Sequence, residues 1–274
     1  MLRKDNVTAL ERQAKALRRT VLAMITGSNA SHIGSSYSMI ELLIYLYDKT
    51  LRVDPKNPLD PARDRFVLSK GWAVSCLYAV LAEKGFFEKS LLQEYCKDGS
   101  KMLGGSTING IPGIEATTTS MGHGLPLGVG MAISAKIQKI DSRVVVMISD
   151  GEINEGSTWE AIMLAAHHRL DNLLVIVDYN KWQSFGRPKD ILNLEPLREK
   201  WEAFNWEVRE CDGHDFLDID RNINKLPFII GKPSVLIAHT VKGKGVSVFE
   251  NRNEWHYKTP KGKDKIIAEK ELAK

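Results

Sequence analysis

The chain has 274 residues with a formal net charge of +4, and 43% of them are hydrophobic, which predicts one globular domain over residues 1–274 with a sizeable core. The basic residues are spread along the sequence and do not indicate a nucleic-acid partner. No signal peptide opens the chain, and no apolar stretch approaches the roughly eighteen residues of a membrane span, so we expect no membrane contact and a cytoplasmic location.

The first part of the chain predicts helices around one strand. An amphipathic, basic helix is expected over residues 7–27, and a polar loop with His32 separates it from a second helix over residues 38–47. Residues 64–71 have the pattern of a strand and its exit turn, after which a long helix begins near Trp72. By its surroundings alone, His32 is an ordinary surface residue of a loop.

Small residues precede the next predicted helix, over residues 125–140. Gly122 and Gly124 stand before it, with Met121 and His123 beside them. Such glycines let the backbone approach either a diphosphate at the helix N-terminus or a packed neighbour. On the sequence alone, close packing is the favoured interpretation.

The clearest pattern is a strand, a helix and a strand in the middle of the chain. Residues 144–148 and 173–177 are unbroken apolar runs, typical of strands buried on both faces. A helical pattern from about Ser157 separates them, so the strands are expected to be parallel with a right-handed crossover. This unit predicts an α/β fold with a mostly parallel central sheet and helices on both faces.

Two polar residues follow these strands. Parallel strands deliver Asp150 and Asn180 to the same edge of the sheet, where α/β proteins bind ligands. A carboxylate, an amide oxygen and a backbone carbonyl near Trp182 suit Mg²⁺ or Ca²⁺ better than zinc, and such a sparse shell is usually completed by a phosphate. The alternative is that Asp150 and Asn180 only close their strands as turn residues. The nearby carboxylates Glu152 and Glu155 favour the metal site.

The last part of the chain predicts two more strands, near residues 206–208 and over residues 233–240. A loop rich in lysine and glycine, residues 241–246, follows the second of these, and His256 comes shortly after it. A loop of this kind can bind a phosphate but is usually only solvated. The lysine-rich tail from about residue 258 is expected to be flexible.

The segments around Asp150 and Asn180 also resemble a known family. Asp150-Gly151, a gap of about thirty residues and then Asn180 resemble the thiamine diphosphate motif, and the flanking segments GEINEGSTWEA and DYNKWQSFG resemble those of transketolases. The resemblance implies that thiamine diphosphate is the cofactor and that Mg²⁺ (or Ca²⁺), held by Asp150, Asn180 and the Trp182 carbonyl, anchors its diphosphate. It also implies that Glu155 lies at a subunit interface, within a network of carboxylates.

The same resemblance implies further site residues. His32 matches a substrate-binding histidine, and His256 matches a histidine that contacts the diphosphate and the substrate, so both are candidate catalytic residues together with Glu155. The residues expected to contact the cofactor are Asp150, Gly151, Glu152, Asn180, Gly122, Met121, Trp72 and His256.

Five positions depart from the transketolase pattern, one of them Ile33, where the family carries a proline. Trp72 and Gly105 stand where the family carries histidines, Thr119 replaces a glycine, and Tyr257 replaces a residue that is commonly glycine. Two lost histidines remove hydrogen-bonding capacity for a hydroxylated donor. We therefore expect a donor other than an ordinary ketose phosphate, such as a deoxy-ketose, a 2-oxo acid or a sugar nucleotide. His123 becomes a candidate for taking over catalytic work from the missing histidines.

The resemblance covers nearly the whole chain but only part of a transketolase, whose middle domain supplies the glutamate that activates the cofactor. The chain is thus expected to be the amino-terminal subunit of a two-chain enzyme that transfers a two-carbon unit from a ketose-type or 2-oxo donor to an aldehyde acceptor in specialised carbohydrate metabolism. Its expected partner is a separate carboxy-terminal transketolase subunit, in an α2β2 assembly with small sugars as substrates. The alternative is a catalytically inactive subunit that stabilises or regulates such a partner.

Overall fold

The computed structural model describes residues 2–273 and centres on one sheet of five parallel strands in the order β1-β2-β3-β5-β4. The strands are β1 (Arg65–Leu68), β2 (Val144–Ser149), β3 (Leu173–Tyr179), β4 (Glu207–Asp212) and β5 (Ser234–His239). Every residue of β2 and β3 is buried, as their unbroken apolar runs predict. The predicted α/β fold with a parallel central sheet is confirmed.

Helices cover both faces of this sheet. They are α1 (Lys4–Ser28), α2 (Ile33–Tyr37), α3 (Ile40–Tyr45), α4 (Val74–Glu83), α5 (Gly124–Ile137), α6 (Gly156–His167), α7 (Pro188–Ile191), α8 (Leu197–Ala203), α9 (Phe216–Ile223) and α10 (Gly262–Ala273). Tight 3₁₀ turns occur at Gly71–Ala73, Lys89–Glu94, Gly151–Asn154 and Asn253–His256, and a π turn at Leu46–Thr50. Each of the helices among residues 2–273 is too short or too polar to span a lipid bilayer.

The two faces of the sheet define two hydrophobic cores. Alternate residues of β2 point to opposite sides, so Val145 and Met147 join the core beneath α1, α3 and α4, whereas Val146 and Ile148 join the core beneath α5, α6 and α8. Burial of each such side chain stabilises the fold by about 1.5–3 kcal/mol. The helices therefore fix the position of both strands from both sides.

Several predicted bounds need correction. The helix expected over residues 38–47 is α3, which begins later and runs into the π turn Leu46–Thr50, and the short helix α2 just before it was missed. The helix expected to begin near Trp72 is α4, preceded by a 3₁₀ turn. Helix α1 begins three residues before the predicted start at residue 7 and ends at Ser28, followed by the capping residue Asn29, whose φ of 53° lies in the left-handed region.

The segment after residue 258 differs from the expected flexible tail, because it contains α10. This helix buries Ala268 and Leu272, which lie one turn apart and join the core that α1 also lines. The guanidinium of Arg19 on α1 donates to the carbonyl of Leu272 at 3.4 Å. The lysines that suggested flexibility include Lys263 and Lys270, which lie on exposed positions of the helix.

The register of the sheet determines where the polar residues emerge. Ser149 at the end of β2 pairs with Asp178 on β3, so Asp150 and Asn180 leave the sheet at the same carboxyl edge. β5 lies on the other side of β3 and delivers Thr240 to this edge as well. All three chain segments therefore meet at one place, as the Asp150 and Asn180 spacing predicts.

Candidate cofactor and metal site

A cavity of about 340 Å³ opens at this edge of the sheet. Its lining contains two groups of residues. The carboxylate–amide group consists of Asp150, Asn180 and Trp182, and the aromatic group consists of His32, Trp72, His256 and Tyr257. The structure thus brings together most of the predicted site residues, including Met121 and Gly151.

Asp150 is fully buried, and hydrogen bonds from the backbone hold both of its oxygens. Oδ1 accepts from the amide of Gly151 at 2.8 Å, and Oδ2 accepts from the amide of Lys181 at 2.8 Å. Burial, followed by the charge of nearby Asp178, raises the pKa of Asp150 to about 7. A bound cation would offset both causes, so the site favours an ion beside this carboxylate.

The side chain of Asn180 is oriented by hydrogen bonds to Asp178, at the end of β3, and to Trp182, in the loop that follows. Its Nδ2 donates to Asp178 Oδ2 at 3.3 Å, and its Oδ1 accepts from the amide of Trp182 at 3.1 Å. The indole of Trp182 in turn donates to Asn251 Oδ1 at 2.9 Å. These hydrogen bonds keep the amide oxygen of Asn180 away from the Asp178 carboxylate and next to the Trp182 backbone.

Asp178 itself belongs to a buried ion pair that the sequence did not predict. Its carboxylate pairs with the ammonium of Lys70, and both side chains are fully buried. Ser38 donates to Oδ2 at 2.6 Å, and Thr240 donates to Oδ1. Burial alone would raise the pKa of Asp178, but Lys70 and these hydroxyls hold it below its usual value. The Asp178 carboxylate therefore stays ionised at a fixed position next to Asn180.

Glu152 lies behind the cavity wall. Its Oε1 accepts from the Ser69 hydroxyl and from the amide of Gly122 at 3.0 Å, and burial raises its pKa to about 7 despite these hydrogen bonds. Gly122 has a φ of 76°, and a Cβ there would lie 2.4 Å from Ser157 Oγ, so only glycine fits. Glu152 and Gly122 thus position the loop before α5, whereas a direct cofactor contact for either stays a prediction.

The aromatic group is held by ring contacts. The ring of His32 lies 5.0 Å from that of His256, 6.2 Å from that of Trp72 and 6.0 Å from that of Tyr257, measured between centroids. The backbone amide of His32 donates to the carbonyl of His256 at 3.1 Å. Burial, then the charge of Lys242, lowers the pKa of His32 to about 4 and that of His256 to about 3, so both rings are neutral at neutral pH.

Lys242 is a further residue of this region that the sequence did not assign. It is fully buried, and its Nζ lies 2.9 Å from Nδ1 of His256. Burial lowers its pKa to about 8. The lysine- and glycine-rich loop after β5 was the available signal, but such a loop is usually solvated and gave no reason to expect a buried ammonium.

Two of the departures from the transketolase pattern contact each other. A Cβ added to Gly105 would lie 2.2 Å from Cγ2 of Thr119, so Thr119 occupies the space of any side chain at position 105. Thr119 lines the cavity together with Trp72. The lack of a side chain at position 105 and the extra side chain at position 119 are therefore sterically compatible with each other.

Two candidate catalytic residues lie outside this cavity. His123 is exposed at the N-terminus of α5, and Glu155 is half-buried at the N-terminus of α6. Neither side chain lines the cavity of the described chain. Their catalytic roles stay predictions, and both residues face the surface that includes the starts of these two helices.

The donor chemistry fits a hard divalent cation beside an oxygen-rich ligand. Within residues 2–273, no group of three His, Cys, Asp or Glu could hold a metal without help. Asp150, the Asn180 amide and the Trp182 carbonyl would leave positions for ligand oxygens, as Mg²⁺ prefers. Two lining residues also have buried nitrogens without a hydrogen-bond partner, Gln183 Nε2 and Trp72 Nε1.

Comparison with known proteins identifies the family. Residues 10–273 match the family described as transketolase, thiamine diphosphate binding domain. The chain is 43% identical over 264 residues to an apulose-4-phosphate transketolase subunit of Actinobacillus succinogenes, covering 96% of this chain and 95% of the relative. It is 39% identical to the 6-deoxy-6-sulfo-D-fructose transketolase subunit SqwG of Clostridium sp. (strain MSTE9), covering 90% of each.

A solved transketolase, that of Campylobacter jejuni, superposes with a TM-score of 0.91 at 30% identity, covering 97% of this chain and 43% of that one. The chain therefore belongs to the transketolase family. Within it, the chain corresponds to the thiamine diphosphate-binding domain, which confirms the resemblance seen in the Asp150 and Asn180 segments. It spans about two fifths of the length of the whole transketolases, 41% for that of Leishmania mexicana.

Proposed function

We propose that this chain is the amino-terminal subunit of a two-chain, thiamine diphosphate-dependent transketolase that transfers a two-carbon unit from a ketose-type or 2-oxo donor to an aldehyde acceptor. The observation that carries the proposal is the delivery of Asp150 and Asn180, by β2 and β3, to one cavity that also holds two neutral histidines. Three relatives that match over at least 90% of both chains are named as transketolase subunits.

The carboxylate–amide group would hold the metal and the diphosphate. Asp150, the Asn180 oxygen and the Trp182 carbonyl would bind Mg²⁺ (or Ca²⁺), and the cation would neutralise the buried charge of Asp150. Bound thiamine diphosphate supplies the electron sink for carbon–carbon bond cleavage. The chain itself contributes the fixed ligands and the hydrogen-bonding groups on His32 and His256.

The aromatic group supports a donor other than an ordinary ketose phosphate. Trp72 and Thr119 line the cavity at positions where the transketolase pattern has a histidine and a glycine. Such a wall disfavours hydroxyl groups that need a partner. The names of the relatives, which refer to apulose 4-phosphate and to a sulfonated deoxyfructose, agree with a specialised sugar donor.

An exposed apolar surface supports a partner chain. Five apolar residues with more than a third of their surface exposed lie on α5, α6 or the loop before α5: Met121, Leu127, Ile137, Met163 and Leu164. Clusters of this kind mark protein interfaces. The surface adjoins the cavity through Met121, so a partner seated there would complete the site. We propose a carboxy-terminal transketolase subunit in an α2β2 assembly, in the cytoplasm.

The decisive experiment is a calorimetric titration of thiamine diphosphate with Mg²⁺ into the complex of this chain and its co-purified partner. Saturable, metal-dependent binding that is lost in Asp150→Ala, followed by turnover with an aldehyde acceptor, would establish the function. Binding without turnover of any ketose or 2-oxo donor would favour the inactive-subunit alternative, for which Trp72 in the cavity wall is the argument. Rapid turnover of xylulose 5-phosphate would contradict the proposed donor class.

A further inference from the structure

The buried pair of Lys242 and His256 constrains the hydrogen-bonding role of His256. The pair is rigid on both sides. A Cβ added to Gly34 would lie 2.9 Å from Cγ of Lys242, so the stem of the lysine packs directly against Gly34. The Lys242 carbonyl accepts from the amide of Asn251 at 2.8 Å, and the His256 carbonyl accepts from the amide of His32 at 3.1 Å. The 2.9 Å contact between Nζ and Nδ1 is therefore a property of the fold.

An ammonium group has three donors and no acceptor. Lys242 remains largely protonated at neutral pH, because its pKa is lowered only to about 8. His256 is neutral under the same conditions, because its pKa is lowered to about 3. A neutral imidazole facing an ammonium must accept the hydrogen bond, so Nδ1 carries the lone pair and the ring proton lies on Nε2.

We propose that Lys242 is a positioning residue that restricts His256 to the Nε2–H tautomer, so that His256 only donates hydrogen bonds within the cavity. Nε2 has no hydrogen-bond partner in residues 2–273, and the ring lines the cavity. A donor fixed in this way can bind an anionic or carbonyl oxygen. It cannot take up a proton there, because the Nε2 site is already filled and Nδ1 is engaged by Lys242.

His32 differs from His256 in the partner of its Nδ1. The hydroxyl of Ser31 lies 2.7 Å from this nitrogen, and a hydroxyl can donate or accept. The hydrogen bond therefore survives when His32 changes its tautomer. Of the two adjacent rings, His32 alone is free to exchange a proton. His256 is thus a fixed hydrogen-bond donor, whereas His32 can change its tautomer.

The test is nitrogen NMR of the full-length chain with ¹⁵N-labelled histidine, without cofactor or partner. The signals of His256 are assigned by their loss in His256→Gln. We expect the pattern of a single Nε2–H tautomer in the wild type, a mixture of tautomers in Lys242→Met, and the single tautomer again in Lys242→Arg, whose guanidinium also only donates. Lys244→Met is the matched control, since Lys244 is half-buried in the same loop and its Nζ lies 3.8 Å from Oε1 of Glu250 rather than beside a histidine.

An Nδ1–H tautomer or a mixture in the wild type would overturn the proposal, and so would an unchanged single tautomer in a folded Lys242→Met. If Lys242→Met does not fold, the wild-type and Lys242→Arg spectra still decide between these outcomes. The use of the fixed donor on a bound ligand rests on the proposed function. The tautomer itself is measured without ligand, so an experiment that contradicts the proposed tautomer is distinguishable from one that contradicts the proposed function.

Discussion

The two groups of cavity residues are fixed in different ways. Asp150 and Asn180 are held by backbone amides and by the buried pair of Lys70 and Asp178. In the aromatic group, His256 is held by the buried ammonium of Lys242, whereas Trp72 and Tyr257 touch the histidines through ring contacts. Replacement of Asp150, Asn180 or His256 leaves a buried charge or amide without a partner. Replacement of Trp72 or Tyr257 changes shape and polarity alone, so these two residues can change with the donor.

The largest expected effect tests the rigidity of the carboxylate–amide group. Lys70→Met leaves Asp178 as a buried carboxylate without its cation, which we expect to lower the free energy of unfolding by about 3–5 kcal/mol. Urea or thermal unfolding measures this change. The control is Lys89→Met, since Lys89 forms an exposed ion pair with Glu83 and should change stability by about 0.5 kcal/mol or less. A loss below about 1 kcal/mol in Lys70→Met would show that the pair is not a structural anchor.

The next effect concerns the metal itself. Asp150→Asn keeps the shape of the side chain but removes its charge, so we expect metal-dependent affinity for thiamine diphosphate in the partner complex to fall about 100-fold, or about 2.7 kcal/mol. Calorimetry with Mg²⁺ measures the affinity. Asp190→Asn, on the exposed surface of α7, should leave it unchanged. Retention of wild-type affinity in Asp150→Asn would place the metal elsewhere.

The aromatic side of the cavity is tested by a double-mutant cycle at Gly105 and Thr119. Gly105→Ala alone should destabilise the chain by about 1–3 kcal/mol, because the new methyl group would overlap Thr119. Gly105→Ala with Thr119→Gly should recover most of that loss, and the coupling is read from unfolding free energies. Additive effects of the two substitutions would mean that the positions changed independently.

The smallest effect is a pH dependence of stability that comes from Glu152, behind the wall next to the carboxylate–amide group. The pKa of Glu152 is raised by burial to about 7, so the folded chain binds a proton that the unfolded chain releases above its ordinary pKa of about 4.3. Stability from this group is therefore present at low pH and declines as pH rises from about 4.5 to 7. Between about pH 4.5 and 7, the free energy of unfolding of Glu152→Gln should fall by about 1–2 kcal/mol less than that of the wild type. Thermal unfolding at several pH values measures this difference. An unchanged slope would contradict the raised pKa.

The sequence predicts the carboxylate–amide group well because its geometry follows from local rules. Parallel strands end at one edge, and Asp150 and Asn180 stand directly after two strands whose apolar runs are unmistakable. The same reasoning predicted the α/β fold, and the resemblance of the Asp150 and Asn180 segments predicted the family. It could not assign Glu152 to a position behind the wall, because the side-chain direction in a 3₁₀ turn does not follow from spacing.

The buried cations could not be predicted from the sequence, because their partners are remote. Lys70 meets Asp178 at a separation of 108 residues, and Lys242 in its solvated-looking loop shows no local sign of burial. The contact of Gly105 with Thr119 likewise requires two loops to meet. Helix α10 was not predicted because its many lysines suggested a flexible tail. Ala268 and Leu272, which lie one turn apart, were weak evidence for a helix with one buried side.

The contact of Gly105 with Thr119 also has an evolutionary consequence. A side chain at position 105 and a threonine at position 119 cost stability when both are present, because a Cβ at position 105 would lie 2.2 Å from Cγ2 of Thr119. Threonine at position 119 is therefore gained at lower cost in a chain that already has glycine at position 105. With both residues in place, a histidine at position 105 carries the same cost unless Thr119 is replaced as well, so a second substitution favours the return to the family pattern.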